Sequence, residues 1–355
     1  MNKLDNRRFI SKLDASNMLG LISTFDEQCK CAYKIGKTFN ASKPENQINN
    51  ILLAGLGGSA IGADIIRVYL QNELKVPMVV WRNYRLPDFV GKDTLLFCVS
   101  YSGNTEETLS SFRDGLKKEA FVITVGSGGK LKELSLKNGL RHIEIPSGFP
   151  PRQAVGYISI IILAVLAEMG FIEDKKSEIE ELYTSLSEVR DREIGIEVPR
   201  SKNIAKTLAG ELFGKYCVVY GTGDSTEAVS IRWRSQFAEN SKSLSSSHIF
   251  PEMNHNEISG WEFPKAMLKN FKVVMLRDRN DYIGTQKRIE VSKSIIKKSG
   301  VEVFEFERRE NSLLARLFSL ILIGDFVSFY LAILNGIDPT PVKRIDYLKA
   351  QVAKN

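Results

Sequence analysis

Short apolar runs alternate with helical patterns along most of the chain. The first half contains such runs at residues 51–56, 77–81, 95–99 and 120–125. Continuous apolar runs of this length are typical of strands buried on both faces of a sheet. Each run is followed by a loop, and most are then followed by a segment with apolar residues at helical spacing. The alternation predicts βαβ units in a parallel sheet with helices on both faces. An N-terminal helix over 12–39 is predicted from the same spacing.

The second half of the chain repeats this organisation. One apolar strand ends at a glycine turn that opens a helix, and two further apolar runs lie on either side of another helical segment. The predicted strands are 216–220, 272–276 and 301–306, and the intervening helix is 285–298. The repetition predicts an α/β fold of two similar, doubly wound parallel-sheet domains flanked by helices.

We place the boundary between these domains near residues 193–200, after two connecting helices. The N-terminal domain then spans residues 1–195 and the C-terminal domain residues 196–355. A chain of 355 residues is of the length expected for two domains. Both apolar stretches that approach the length of a membrane span, 155–170 and 313–335, contain charged residues. We therefore expect buried helices there and no association with a membrane.

Composition and charge narrow the class of protein. The chain is 43% hydrophobic and 26% charged, which is an ordinary globular balance. Its four cysteines do not suggest a disulfide framework, and its N-terminus has no apolar signal segment, so a reducing, cytoplasmic compartment is expected. The net charge of +7 favours an anionic partner. Because the basic residues are dispersed and form no recognition signature, we expect a small anion and no nucleic acid.

The glycine turn 55–60 (GLGGSA) is the first candidate site. It joins a predicted strand to a helix, so Gly58 and Ser59 lie where backbone N–H groups and the helix dipole attract anions. A tight turn without a ligand is one alternative. A dinucleotide fingerprint is another, because the G-x-G-x-x-A pattern is present. The acid expected at the end of the next strand is missing, but Arg82 there could serve a 2′-phosphate.

A hydroxyl-rich loop directly follows the predicted strand 95–99. Ser100, Ser102 and Thr105 can each donate a hydrogen bond to an anionic oxygen, and the next helix adds backbone donors. Ligands bind at this carboxyl end of the strands in open α/β sheets. The alternative is a simple helix cap. Since neither loop contains a lysine, a sugar phosphate suits the pattern better than a nucleotide with its metal.

Three further residues could take part in chemistry. Arg152 lies at the first turn of an apolar helix, where it either faces a cleft or caps the surface. Glu239 ends a predicted helix, and the negative end of the helix dipole would favour its protonated form, as suits a general base; a merely exposed glutamate is the alternative. His255 lies in a polar loop between two asparagines, where it is either an acid–base group or a surface residue.

Five segments occur in an order that resembles a known family. They are GLGGSAIGAD, SYSGNTEET, FPPRQAVGY, RWRSQFAENSK and NHNEISGW. Together they resemble the bifunctional phosphoglucose/phosphomannose isomerases, which are built from two sugar isomerase (SIS) domains. The resemblance covers nearly the whole chain, and its last two segments are specific to the isomerase branch.

The resemblance implies a role for each candidate. Ser59, Ser100, Ser102 and Thr105 would bind the substrate phosphate. Arg152 would stabilise the enediolate, Glu239 would move the proton between C1 and C2, and His255 would open the sugar ring from the neighbouring subunit of a homodimer. A C-terminal lysine would also take part, and Lys349 matches best, with Lys343 as the alternative.

These implications predict interconversion of glucose 6-phosphate and mannose 6-phosphate with fructose 6-phosphate, without a metal or other cofactor. Two alternatives remain at this point. One is a sugar-phosphate-binding SIS protein without catalysis, which would have no reason to keep Glu239, Arg152 and His255 together. The other is an NADP-dependent oxidoreductase, which rests on the glycine turn and Arg82. The second glycine turn (GTGDST) carries Asp224 where the first has Gly58, so we expect one phosphate site per chain.

Overall fold

The computed structural model describes residues 3–39, 44 and 46–352. The chain divides into two compact units. The first-sheet unit comprises Thr24–Ser185 and Glu310–Leu317. The second-sheet unit comprises the residues up to Ser23, Leu186–Arg309 and the residues from Phe318 onward.

Each unit is built around a parallel sheet, as the alternating pattern predicts. The first sheet has the strand order β2-β1-β3-β4-β5 and the second has the order β7-β6-β8-β9. The strands are β1 Asn50–Ala54, β2 Met78–Trp81, β3 Thr94–Val99, β4 Phe121–Gly126, β5 His142–Glu144, β6 Tyr216–Thr222, β7 Ser245–Phe250, β8 Phe271–Leu276 and β9 Glu302–Phe306. The order shows that β6, β7, β8 and β9 correspond to β1, β2, β3 and β4.

Helices connect and cover the strands. They are α1 Arg7–Leu13, α2 Met18–Ser23, α3 Phe25–Thr38, α4 Gly57–Leu70, α5 Glu106–Lys117, α6 Gly129–Lys137, α7 Val155–Glu168, α8 Lys176–Val189, α9 Ile204–Leu212, α10 Glu227–Glu239, α11 Lys265–Leu268, α12 Ile283–Lys298, α13 Leu313–Leu334 and α14 Lys343–Val352. The predicted fold class, an α/β protein with two helix-flanked parallel sheets, is confirmed.

Each compact unit includes segments that are distant in sequence, and specific contacts hold those segments in place. The domain boundary at residue 195 stays a prediction. Asp5 accepts hydrogen bonds from the Lys206 ammonium at 3.1 Å and from the Arg200 backbone N–H at 3.0 Å, which ties the N-terminal residues to the second-sheet unit. Lys206 is fully buried. In the first-sheet unit, the Glu181 carboxylate accepts the N–H groups of Asn311 and Ser312 at 2.6 and 2.9 Å.

One local prediction is wrong, and strand β7 was not predicted. The segment 12–39 is three helices, because the Asp14 carboxylate accepts the N–H groups of Met18 and Leu19 and Asn17 adopts a positive φ of 58°, which ends α1 and starts α2. The serine-rich segment at 245–247, where no strand was predicted, is part of strand β7. This edge strand exists through its pairing with β6, which its sequence alone does not indicate.

The long apolar helix α13 is a core helix. It is long and apolar enough to cross a membrane, but 94% of its most apolar window is buried. Its charged residues are buried with partners. Asp325 pairs with Arg232, and the Arg316 guanidinium donates to the carbonyls of Glu310 and Asn311. This burial agrees with the prediction that the apolar stretch 313–335, because it contains charged residues, forms a buried helix.

Candidate active site

The loop 100–105 joins the central strand β3 to helix α5. Ser100 is buried, and its hydroxyl donates to the Thr105 hydroxyl at 2.9 Å while accepting the Thr105 N–H at 3.4 Å. Ser102 is exposed, and its hydroxyl accepts the Asn104 N–H at 3.3 Å. Thr105 is the residue before α5 and makes no side-chain capping bond. The loop therefore holds three hydroxyls at the N-terminus of a helix, where an anion is attracted.

The glycine turn 55–60 lies beside this loop. The buried Ser59 hydroxyl accepts the N–H of Tyr101 at 3.3 Å, which connects the two turns. A side chain at Gly58 would come within 2.5 Å of the Pro151 carbonyl oxygen. Gly58 is thus required for close packing against the turn that carries Arg152. Its predicted contact with a phosphate stays a prediction.

A third turn, which the sequence analysis did not single out, supports the hydroxyl loop. Ser127 donates its N–H and its hydroxyl to the Tyr101 carbonyl at 2.8 and 2.7 Å. A side chain at Gly103 would come within 1.8 Å of the Gly128 carbonyl oxygen, so only glycine fits there. The glycines at 126, 128 and 129 could have indicated this turn from the sequence, since they mark a turn at the carboxyl end of β4, the strand next to β3.

Arg152 lies in a short 3₁₀ turn, Pro151–Gln153, immediately before helix α7. Its side chain is buried, with 4% of the residue exposed, so the prediction of a surface cap is excluded. Gln28 fixes this junction. Its amide donates to the Gln153 carbonyl at 2.8 Å and accepts the Gly156 N–H at 2.8 Å. These bonds fix the backbone that follows Arg152, and a buried guanidinium is suited to stabilise a negative charge.

The corresponding turn of the second sheet is already filled by the protein itself. Thr222 and Ser225 donate their hydroxyls to one oxygen of the Asp281 carboxylate at 3.0 and 2.6 Å, and the Asp278 N–H reaches its other oxygen at 2.9 Å. Burial raises the pKa of Asp281, and these hydrogen bonds oppose the rise. A carboxylate thus takes the hydrogen bonds that a bound anion would receive. Asp224, from which the sequence argued for one phosphate site, accepts the Tyr282 N–H at 3.1 Å.

Helix α10 places Glu239 at its last turn, and the helix is anchored from behind. Arg232 and Gln236 are buried on one face and both donate to the Asp325 carboxylate of α13, at 2.6 to 3.1 Å. Beyond Glu239, the Asn240 amide donates to the Ser328 hydroxyl at 2.9 Å. Glu239 itself is partly exposed. The polar contacts to α13 fix the end of the helix on which the candidate base lies.

His255 is exposed at the end of a short 3₁₀ helix, Glu252–His255, and hydrogen bonds hold the segment on both sides of it. Asn254 donates to the Ser292 hydroxyl at 2.7 Å. The Tyr220 hydroxyl donates to Glu257 at 2.6 Å and accepts the Trp261 indole N–H at 2.9 Å. Asn254, Glu257 and Trp261 of the NHNEISGW segment therefore make hydrogen bonds that hold the segment, while His255 is exposed to solvent.

The remaining candidates are the two C-terminal lysines and Arg82. Lys349 and Lys343 both lie on helix α14, whose described residues include none that is buried, and both are exposed. Arg82, on which the oxidoreductase alternative depended, forms an ion pair with Asp64 of α4. This pair occupies the guanidinium that a 2′-phosphate would need and weakens that alternative.

The amino-acid sequence is similar to known proteins over most of its length. A family profile described as the bacterial phospho-glucose isomerase C-terminal SIS domain matches residues 201–352. The bifunctional phosphoglucose/phosphomannose isomerase of Caldicellulosiruptor bescii is 44% identical over 95% of this chain and 99% of that protein. The protein of the same name from Aquifex aeolicus is 35% identical over 86% of this chain and 91% of its own length.

The fold is also found in solved structures. A hypothetical protein from Thermus thermophilus superposes with a TM-score of 0.74 at 14% identity, covering 98% of this chain and 92% of that one. At this identity the similarity shows the fold alone. The sequence relatives go further, since their identity extends over nearly their whole lengths. The chain therefore belongs to the bifunctional phosphoglucose/phosphomannose isomerase family.

Proposed function

We propose that this protein interconverts glucose 6-phosphate and mannose 6-phosphate with fructose 6-phosphate through a cis-enediol, without a metal. The observation that carries the proposal is the hydroxyl loop 100–105 at the carboxyl end of β3, in a chain that belongs to this family over most of its length. A phosphate monoester is the anion that such a loop accommodates, because hydroxyls and helix-terminal N–H groups can surround its oxygens.

The first-sheet unit supplies the residues proposed to bind the phosphate. Ser100 and Thr105 already share a hydrogen bond, so a phosphate oxygen can receive either hydroxyl by rotation about one side-chain bond. Ser102 and Ser59 complete the proposed set. The phosphate group is remote from C1 and C2. Its binding contributes to the reaction by holding these reacting carbons in place.

The proton transfer is assigned to Glu239. Its carboxylate takes the C2 proton of the open-chain aldose, and electrons from the broken C2–H bond form the C1–C2 double bond of an enediolate. The same residue then returns the proton to C1, while the proton of the O2 hydroxyl ends on O1, which gives the ketose. Arg152 is assigned to the negative charge on the enediolate oxygens. Glucose and mannose 6-phosphates differ only at C2 and therefore give the same enediol.

We also propose a homodimer in which the ring of each substrate is opened by His255 of the partner subunit, with Lys349 taking part from the C-terminal helix. The exposure of His255 on a segment held by hydrogen bonds supports this assignment, because a group that acts on a second chain must project from its own. A cytoplasmic location is proposed from the four free cysteines, which fit a reducing compartment.

The decisive experiment is conversion of both aldose phosphates to fructose 6-phosphate by the purified protein after treatment with a chelator. Glu239→Gln should lower kcat by at least about 10²-fold, as expected for loss of a general base. It should also abolish exchange of the C2 proton with deuterated water, which requires the base but no completed turnover.

A matched control is Glu211→Gln, which alters an exposed glutamate near the C-terminal end of α9. It should leave both the conversion and the exchange unchanged. Exchange at close to the wild-type rate in Glu239→Gln would show that another residue is the base. Absence of any conversion by the wild-type protein would favour a sugar-phosphate-binding role without catalysis.

A further inference from the structure

We propose that Lys242 is a positioning residue for the proton transfer, acting through the backbone that carries Glu239. The inference rests on the function proposed above, since it gives Lys242 a role only if Glu239 is the base. Lys242 belongs to the segment RWRSQFAENSK, but neither the charge pattern nor the spacing gave it a task.

The Lys242 ammonium lies at the C-terminal end of helix α10 and contacts backbone carbonyl groups there. It donates to the Glu239 carbonyl at 2.6 Å, to the Asn240 carbonyl at 3.4 Å and to the Pro339 carbonyl at 2.9 Å. The last carbonyls of a helix have no partner within it, and an ammonium group has three donors. Its positive charge also lies at the negative end of the helix dipole.

The backbone at Lys242 is shaped for this contact. Its φ is +55°, in the left-handed region that residues other than glycine rarely adopt. The turn sends the chain back along α10, and the Ser243 N–H then reaches the Phe237 carbonyl at 3.0 Å. Lys242 therefore keeps a less favourable backbone conformation, and in this conformation its side chain reaches the carbonyl of Glu239.

The third carbonyl connects the base to the C-terminal segment. Pro339 lies shortly before helix α14, which carries both candidate lysines. One ammonium therefore joins the residue that bears the base to the turn from which α14 starts. Loss of the ammonium would remove its contacts with both segments at once, whereas the contacts of Arg232 and Gln236 with Asp325 would remain.

We expect Lys242→Met to lower kcat by roughly 10- to 100-fold and to leave KM within about threefold, because a displacement of the order of 1 Å at a reacting group can cost 10²-fold in rate. Exchange of the substrate C2 proton with deuterated water should fall by the same factor, since it requires the base but no completed turnover. A role restricted to stability would change the unfolding temperature and leave this exchange intact in the folded protein.

Two further variants separate charge from backbone conformation. Lys242→Gly permits the positive φ but removes the ammonium, so it should be as slow as Lys242→Met. Lys242→Arg keeps a cationic donor and should recover most of the rate. The matched control is Lys215→Met, since the Lys215 ammonium also donates to a backbone carbonyl of this unit, that of Lys269 at 3.1 Å, and this variant should keep the wild-type rate.

The proposal is overturned if Lys242→Met and Lys242→Gly keep the wild-type kcat and C2 exchange, or if Lys242→Arg is as slow as Lys242→Met. These outcomes differ from a failure of the proposed function itself, in which the wild-type protein does not isomerise either substrate or Glu239→Gln retains C2 exchange. Circular dichroism of each variant at the assay temperature establishes that rates are compared between folded proteins.

Discussion

Breaking the buried pair between Arg232 and Asp325 from one side should strongly destabilise the second-sheet unit. The side chains are 2% and 4% exposed, and the guanidinium reaches the two carboxylate oxygens at 3.1 and 2.6 Å. Asp325→Ala leaves the guanidinium buried without this partner and also removes the acceptor of Gln236. Breaking a buried pair from one side costs about 3–5 kcal/mol, because the remaining charge stays desolvated.

This loss should be visible in thermal unfolding. At roughly 2–4 °C per kcal/mol for a domain of this size, Asp325→Ala should lower the Tm of the second-sheet unit by about 6–20 °C. Calorimetry and near-ultraviolet circular dichroism both measure the shift. Glu188→Gln is the control, because it breaks an exposed pair with Arg192 and should leave the Tm almost unchanged.

The double variant Arg232→Met with Asp325→Ala distinguishes a buried unpaired charge from a cavity. Replacing both partners by apolar groups is often close to neutral, so the double variant should regain most of the lost stability. The reasoning is refuted if the single variant loses less than about 1 kcal/mol, or if the double variant is no more stable than the single one.

Three other outcomes are expected. Ser100→Ala combined with Ser102→Ala should mainly raise KM, each lost bond to the phosphate costing roughly 1.5–3 kcal/mol, and an unchanged KM would place the phosphate elsewhere. Mixed dimers of Glu239→Gln and His255→Ala chains should regain part of the activity, because each hybrid has one intact site; no recovery in isolated hybrids would assign both residues to one chain. A chelator should leave the rate unchanged, because charge stabilisation is assigned to Arg152, and restoration by zinc of a rate lost in EDTA would contradict this.

Strands β1 to β4, β6, β8 and β9 follow from the sequence because buried parallel strands are continuous apolar runs, which few other structures require. The edge strand β7 does not, because its serines carry no apolar pattern and its hydrogen bonds come from β6. The break between α1 and α2 was equally invisible to periodicity, since it depends on Asp14 accepting backbone N–H groups that a continuous helix would use.

In the candidate site too, some contacts could be predicted from the sequence and others could not. The hydroxyls of Ser100 and Thr105 lie within five residues, so a local pattern could indicate that they meet, and the structure brings them to 2.9 Å. Asp281 is 56 residues from Ser225 along the chain, and only the folded sheet places its carboxylate at that hydroxyl. Lys242 was present in a recognised segment, but its task depends on a positive φ and on a carbonyl 97 residues away.

The contact between Asp5 and Lys206 has a consequence for the order of events during synthesis. The two residues are 201 positions apart, so at about 5–20 residues per second the ribosome needs about 10–40 s between them. During that interval Asp5 and the helices near it cannot form their contact with Lys206, because Lys206 has not yet been synthesised. Thr24–Ser185, which carries the hydroxyl loop and Arg152, is complete first. Most of the first-sheet unit, which carries the proposed phosphate-binding residues, is thus synthesised before Asp5 can form its contact with Lys206.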